Sequence, residues 1–126
     1  MFTAIQYRIL KWIAPGTPVP RGEAAYEGKS KLGILMGSDF FTRIAGKVVV
    51  DFGCGEGAGT VDMAKHGAGR AIGIDIREDV LETGRRRAVN QGVEDRCLFV
   101  TSTDELADFV VSVDAFEHFD DPAAIL

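Results

Sequence analysis

"VVVDFGCGEGAGT", Val48 to Thr60, runs from β-branched residues into an acid, Asp51, and then into glycines at alternate positions, Gly53, Gly55, Gly57 and Gly59. A continuous β-branched run reads as a strand covered on both faces, and the glycines after it let the backbone turn tightly into a helix and approach a ligand closely. Loops of this kind usually serve phosphates, which a carboxylate repels. Asp51 therefore decides what the loop binds, and its flanks decide which fold carries it.

Working outward, the strand covers Lys47 to Phe52 and is followed by a helix over roughly Gly59 to His66 that Gly67 caps. "RAIGID", Arg70 to Asp75, gives a second strand. A longer helix, Glu78 to Gln91, has acids in its first turns, where the macrodipole favours them, and Gly92 after its end. "CLFVT" and "FVVSVD" supply a third and a fourth strand. Strands alternating with helices imply βαβ units and an open, doubly wound parallel sheet, with an expected strand order of 3-2-1-4. Upstream, the apolar spacing predicts an amphipathic helix over residues 2 to 13, a proline-rich connector "APGTPVPRG", and a further helix from Ser30 to about Ile44, interrupted near Gly37. The expected organisation is an N-terminal helical cap and connector over 1–46 and an α/β domain over 47–126.

In such sheets the ligand sits at the carboxyl ends of the strands. Those ends carry Asp51, Asp75, the Thr103–Asp104 pair and Asp114, so the mouth is acidic. Two carboxylates beside a diphosphate cost electrostatic energy in a cleft, whereas a sulfonium carrying an α-amino group is attracted. Asp75 stands where a carboxylate can accept hydrogen bonds from both ribose hydroxyls.

"VVVDFGCGEG", then "AIGIDI", then "VVSVDAFEHFDDP" together resemble the class I S-adenosylmethionine-dependent methyltransferases, in the broad group acting on small molecules. The resemblance covers Lys47 to Leu126. It implies a Rossmann-like fold, S-adenosylmethionine as cofactor and a small-molecule methyl acceptor. It also implies that Asp51, Gly53, Cys54 and Gly55 line the methionine half and that Asp75 meets the ribose. Ile76 would pack on adenine, and the backbone around Asp114 would close the methionine end. Family members usually carry an acid after the third strand that meets the adenine amine; here Thr103 is near that position and Asp104 one later, and Asp104 is preferred. The family sheet has seven strands, so this chain is expected to be truncated after the fourth, with that strand exposed and open to self-association.

A base is needed only where the acceptor must lose a proton, and Glu117 and His118 are the candidate catalytic residues. Gly53, Gly55 and Ala58 also satisfy the G-x-G-x-x-A form of a nicotinamide or flavin dinucleotide fingerprint, the rival reading. Asp51 weighs against it, because dinucleotide loops place an apolar residue there and seat the pyrophosphate on the helix N-terminus. A non-catalytic cofactor-binding fragment is the second alternative. "GKS", Gly28 to Ser30, lacks the earlier glycine and the strand of a phosphate loop and is set aside.

Composition narrows the rest. At 46% hydrophobic and 26% charged residues, with a net charge of −5, the 126-residue chain has the make-up of an ordinary soluble domain. All 14 lysines and arginines precede Cys97, and the remainder carries Asp104, Glu105, Asp108, Asp114, Glu117, Asp120 and Asp121. An acidic block is the wrong sign for nucleic acid. Arg85 to Arg87 are expected to fan around a solvated helix face. Cys54 and Cys97 form no metal-ligand or disulfide pattern, no metal site is expected, and a cytoplasmic location follows. The first helix reads as a lid over the cofactor mouth in preference to a membrane-surface element.

Overall fold

The computed structural model of the chain describes residues 30–113. Two short helices, α1 (Lys31–Met36) and α2 (Phe40–Ile44), precede β1 (Val48–Phe52), α3 (Ala58–Lys65), β2 (Arg70–Ile74), α4 (Glu78–Asn90), β3 (Cys97–Val100) and β4 (Phe109–Val111). The strands form one parallel sheet in the order β3-β2-β1-β4, as the alternation of strands and helices predicts.

Local chemistry sets the element ends. The predicted helix from Ser30 to Ile44 is two helices, broken at Gly37, whose φ of 89° no other residue type adopts readily. Both long helices close in Schellman geometry. After α3 the Ala68 N–H donates to Met63 O and the Gly67 N–H to Ala64 O; after α4 Val93 and Gly92 do the same to Ala88 and Val89. In each case the two outer residues of the motif are buried together. The fourth strand is shorter than its sequence suggests. It ends at Val111, and the Ser112 hydroxyl beyond it donates to the Phe52 carbonyl at 2.9 Å.

Strand alternation sends Val50, Ile72, Ile74 and Val110 to one face and Val49, Ala71, Phe99 and Val111 to the other, where α3 and α4 pack through Val61, Met63, Leu81 and Ala88. Leu32, Met36 and Ile44 belong to this second cluster, so α1 and α2 share the core of the sheet. Asp51 alternates to the helix side as well and is buried.

Phe99 organises the helix side. A methyl group on Gly57, Gly73 or Gly84 would come within 2.5 Å, 2.8 Å and 2.6 Å of its ring, so three glycines from the loop, β2 and α4 surround one aromatic side chain. The glycine loop can lie this close to the sheet only because nothing projects from those positions.

A glycine inside a helix normally costs about 1 kcal/mol relative to alanine, so replacing it ordinarily stabilises. Gly84→Ala is expected to do the reverse, destabilising by about 1–3 kcal/mol in urea unfolding through overpacking against Phe99. Phe99→Leu in the same chain should return part of that loss.

Candidate functional site

The loop after β1 is tied to the end of β2 by its own backbone. Gly53 and Cys54 N–H groups both donate to Ile74 O, at 2.8 and 2.9 Å, and the Gly55 N–H donates to Asp75 Oδ2 at 3.0 Å. Gly53, Gly55 and Gly57 have φ of 73°, 54° and 81°. Of these, Gly57 is bound by packing, whereas a methyl group on Gly55 would meet nothing within 4 Å. The space over Gly55 is open, as a backbone surface meant for a ligand requires. From the other side Arg87 of α4 donates through Nε to Glu56 O at 3.2 Å and holds the loop's outer edge.

Asp51 lies beneath this loop. Its Oδ2 accepts from the Thr60 hydroxyl at 2.8 Å, and Gly73, its register partner on β2, leaves the room this pair occupies: a methyl group there would lie 2.9 Å from both Thr60 Oγ1 and Cys54 Sγ. Burial pushes the Asp51 carboxyl up to about 6, although the hydroxyl and backbone N–H of Thr60 favour its charged form, and the charge of Asp75 adds to the rise. Burial, helped by Asp51 and Asp75, also pushes the Cys54 thiol up to about 12, so it is no nucleophile at neutral pH.

Asp75 is different. Burial raises its carboxyl, but the Arg77 side chain, the Arg77 N–H and the Gly55 N–H together hold it below the usual range. Beside it Ile76 is 89% exposed, an apolar side chain presented to solvent at the mouth.

A cleft of about 850 Å³ includes Asp51, Gly53, Cys54, Gly59 and Val113 in its lining, with Ser30 and Leu32 of the α1 end among its other walls. Ser30 caps α1 through the Gly33 N–H and bonds Asp62 of α3, and His66 at the end of α3 stacks on Phe41 of α2 with ring centroids 4.0 Å apart. These contacts fix the two short helices to α3.

The structure brings Asp51, Gly53, Cys54, Gly55, Asp75 and Ile76 to the carboxyl ends of β1 and β2. Of these, Asp51, Gly53 and Cys54 are among the residues that line the cleft. Thr103 Oγ1 accepts from the Glu105 N–H, and Glu105 then pairs with Arg70 at the opposite end of β2, at 2.8 Å. Asp108 continues at that end, exchanging hydrogen bonds with Val48. Asp114, Glu117 and His118 lie outside the described residues. Arg85 to Arg87 fan around α4, but only Arg86, which reaches Thr83, keeps to a solvated face; Arg85 pairs with Glu78 and Glu82 and donates to Phe99 O, and Arg87 takes the loop. Among the described residues no helix is long and apolar enough to cross a membrane.

Comparison with known proteins adds an independent finding. A protein family described as a methyltransferase domain matches residues 50–126. The chain belongs to the class I S-adenosylmethionine-dependent methyltransferases. It is 40% identical over 70 residues to the ribosomal protein L11 methyltransferase of Serratia proteamaculans, a match covering 56% of this chain and 24% of that one. It is 39% identical over 90 residues to the ubiquinone biosynthesis O-methyltransferase of Neisseria meningitidis, covering 66% and 38%. Among solved structures, a methyltransferase of Thiobacillus denitrificans in complex with S-adenosyl-L-homocysteine is 26% identical, with a TM-score of 0.53, over 62% of this chain and 35% of that one. The chain thus spans about a quarter to two fifths of the length of these relatives.

As a methyltransferase-family site, this one fits its cofactor by the chemistry of its donors. It has a desolvated carboxylate whose charge would suit an ammonium group, an open glycine backbone and a second carboxylate one strand away. Thr60, Arg77 and Arg87 bond Asp51, Asp75 and the glycine loop, and none of these contacts is predicted from the sequence. Thr60 was readable in hindsight as the only hydroxyl in the first turn of α3; the two arginines carry no local signal.

The raised carboxyl of Asp51 has a stability consequence. Between the ordinary value of 3.8 and about 6 the folded chain binds the extra proton, so this contribution is fully present below pH 4 and is lost as pH rises through 6. Asp51→Asn removes the dependence. Its stability relative to the parent, by urea unfolding, is expected to improve between pH 4 and pH 7 by about 2 kcal/mol.

Proposed function

We propose that this chain holds S-adenosylmethionine at the carboxyl ends of β1 and β2 and serves methyl transfer to a small-molecule acceptor. The observation that carries the reading is the buried Asp51 carboxylate beneath an open glycine loop, an arrangement that attracts a cation and repels a pyrophosphate. In this reading Asp51 takes the ammonium of the methionine part, Gly53 to Gly55 supply backbone against it, Asp75 accepts from the ribose, and the exposed Ile76 covers one face of the adenine. When bound, the cofactor supplies an activated methyl group on a sulfonium centre. The residues of the chain orient it and keep the carboxylates in place, so their contribution is position and charge.

A small acceptor is supported by the ubiquinone-biosynthesis relative, which the match follows over 66% of this chain. The ribosomal-protein relatives make a protein acceptor the alternative to test. The acidic block after Cys97 disfavours nucleic acid. Where the acceptor must lose a proton, Glu117 and His118 are the bases we assign. Two free cysteines fit a reducing cytoplasm.

Calorimetric titration of the whole chain tests this. S-adenosylmethionine and S-adenosylhomocysteine are expected to bind and NAD not to, and Asp75→Ala should weaken binding by about 1–3 kcal/mol. NAD binding as tightly as either sulfur ligand would overturn the cofactor assignment.

A further inference from the structure

A carboxylate offers about four lone-pair positions. At Asp75 four donors already approach them. Oδ1 accepts from the Arg77 N–H at 3.0 Å and from Arg77 Nε at 3.2 Å; Oδ2 accepts from the Gly55 N–H at 3.0 Å and meets Arg77 Nη2 at 3.5 Å. Two of these donors are backbone. One belongs to the glycine loop and the other to the residue that starts α4, and neither leaves without undoing the fold around it. The other two belong to one guanidinium, on a side chain that is 60% exposed and covers a carboxylate left only 9% exposed.

A ribose diol bonded to Asp75 needs two acceptor positions. Only those facing the guanidinium can be vacated. We infer that Arg77 competes with the cofactor ribose for Asp75, so that the guanidinium must swing off the carboxylate before the diol can engage it. The inference rests on the cofactor reading above and adds to it a residue that sets nucleoside affinity by opposing it. Its sign is distinctive, because truncating a side chain at a binding site usually weakens binding, whereas at Arg77 it strengthens it. The chain itself provides the hinge, since Arg77 keeps its N–H on Asp75 while its side chain moves.

The test uses the full chain and 5′-methylthioadenosine, an uncharged nucleoside that keeps the ribose and adenine and lacks the amino-acid part that Asp51 would engage. Arg77→Ala is expected to bind it about two- to fivefold more tightly at low salt, the range of an exposed ion pair. Arg77→Gln, which keeps a donor and loses the charge, should fall between the two. The parent chain should gain affinity as salt rises and Arg77→Ala should not, because salt screens the pair the ligand has to break. Asp75→Ala should lose binding in both backgrounds. If Asp75→Ala loses binding while Arg77→Ala binds equally or more weakly, the competition is wrong and the cofactor reading stands. If Asp75→Ala matches the parent chain, Asp75 does not hold the ribose, and both fall.

Discussion

A single hydrogen bond, from the Thr60 hydroxyl to Asp51 at 2.8 Å, is the point around which the site is arranged. It spans the turn from strand to helix, joining the end of β1 to the first turn of α3, and it supplies the partner for a carboxylate that has been taken out of water. A buried carboxylate without such a partner would cost several kcal/mol or stay neutral. With it, the rise that burial imposes on the carboxyl is partly offset. Gly73 leaves the volume the pair fills, and the register that sets Asp51 against Gly73 on one side and Val111 on the other places it on the helix face of the sheet.

The loop above that pair is shaped by exclusion. Gly57 and Gly84 press on Phe99, which fixes the loop's height over the sheet, while Gly55 faces open space. Three identical residues therefore serve two purposes: one leaves its backbone uncovered and the others let the structure close. Arg87 and Asp75 then hold the loop from its two sides. The result is a rigid rim around a carboxylate, which suits a cofactor bound by position and charge.

Much of this was legible in the sequence. The β-branched run into Asp51, the spacing to Asp75 and the alternation of strands and helices gave the sheet order and the acidic mouth, because these follow from periodicity and from what glycine permits locally. What could not be read depends on contacts between residues distant in the chain. Phe99 and Gly57 meet only in the folded molecule, as do Arg87 and Glu56. The connection after β3 is a further case. Its later residues, Glu105 and Asp108, pair with Arg70 and Val48 at the amino ends of β2 and β1, contacts with residues far away in the chain. Similarly, "FVVSVD" reads as one strand, whereas β4 ends at Val111 and the Ser112 hydroxyl beyond it bonds Phe52.

The cation-seeking carboxylate is open to direct observation. Carboxyl-carbon NMR of Asp51 across a pH series, without and with saturating S-adenosylhomocysteine, measures its proton affinity in both states. The free chain should titrate at about 6, and the bound chain well below that, as the ligand's ammonium takes the proton's place. A midpoint at the ordinary aspartate value of 3.8 in the free chain, or one near 6 that saturating ligand leaves unmoved, would contradict the role of Asp51 as the partner of the cofactor's ammonium.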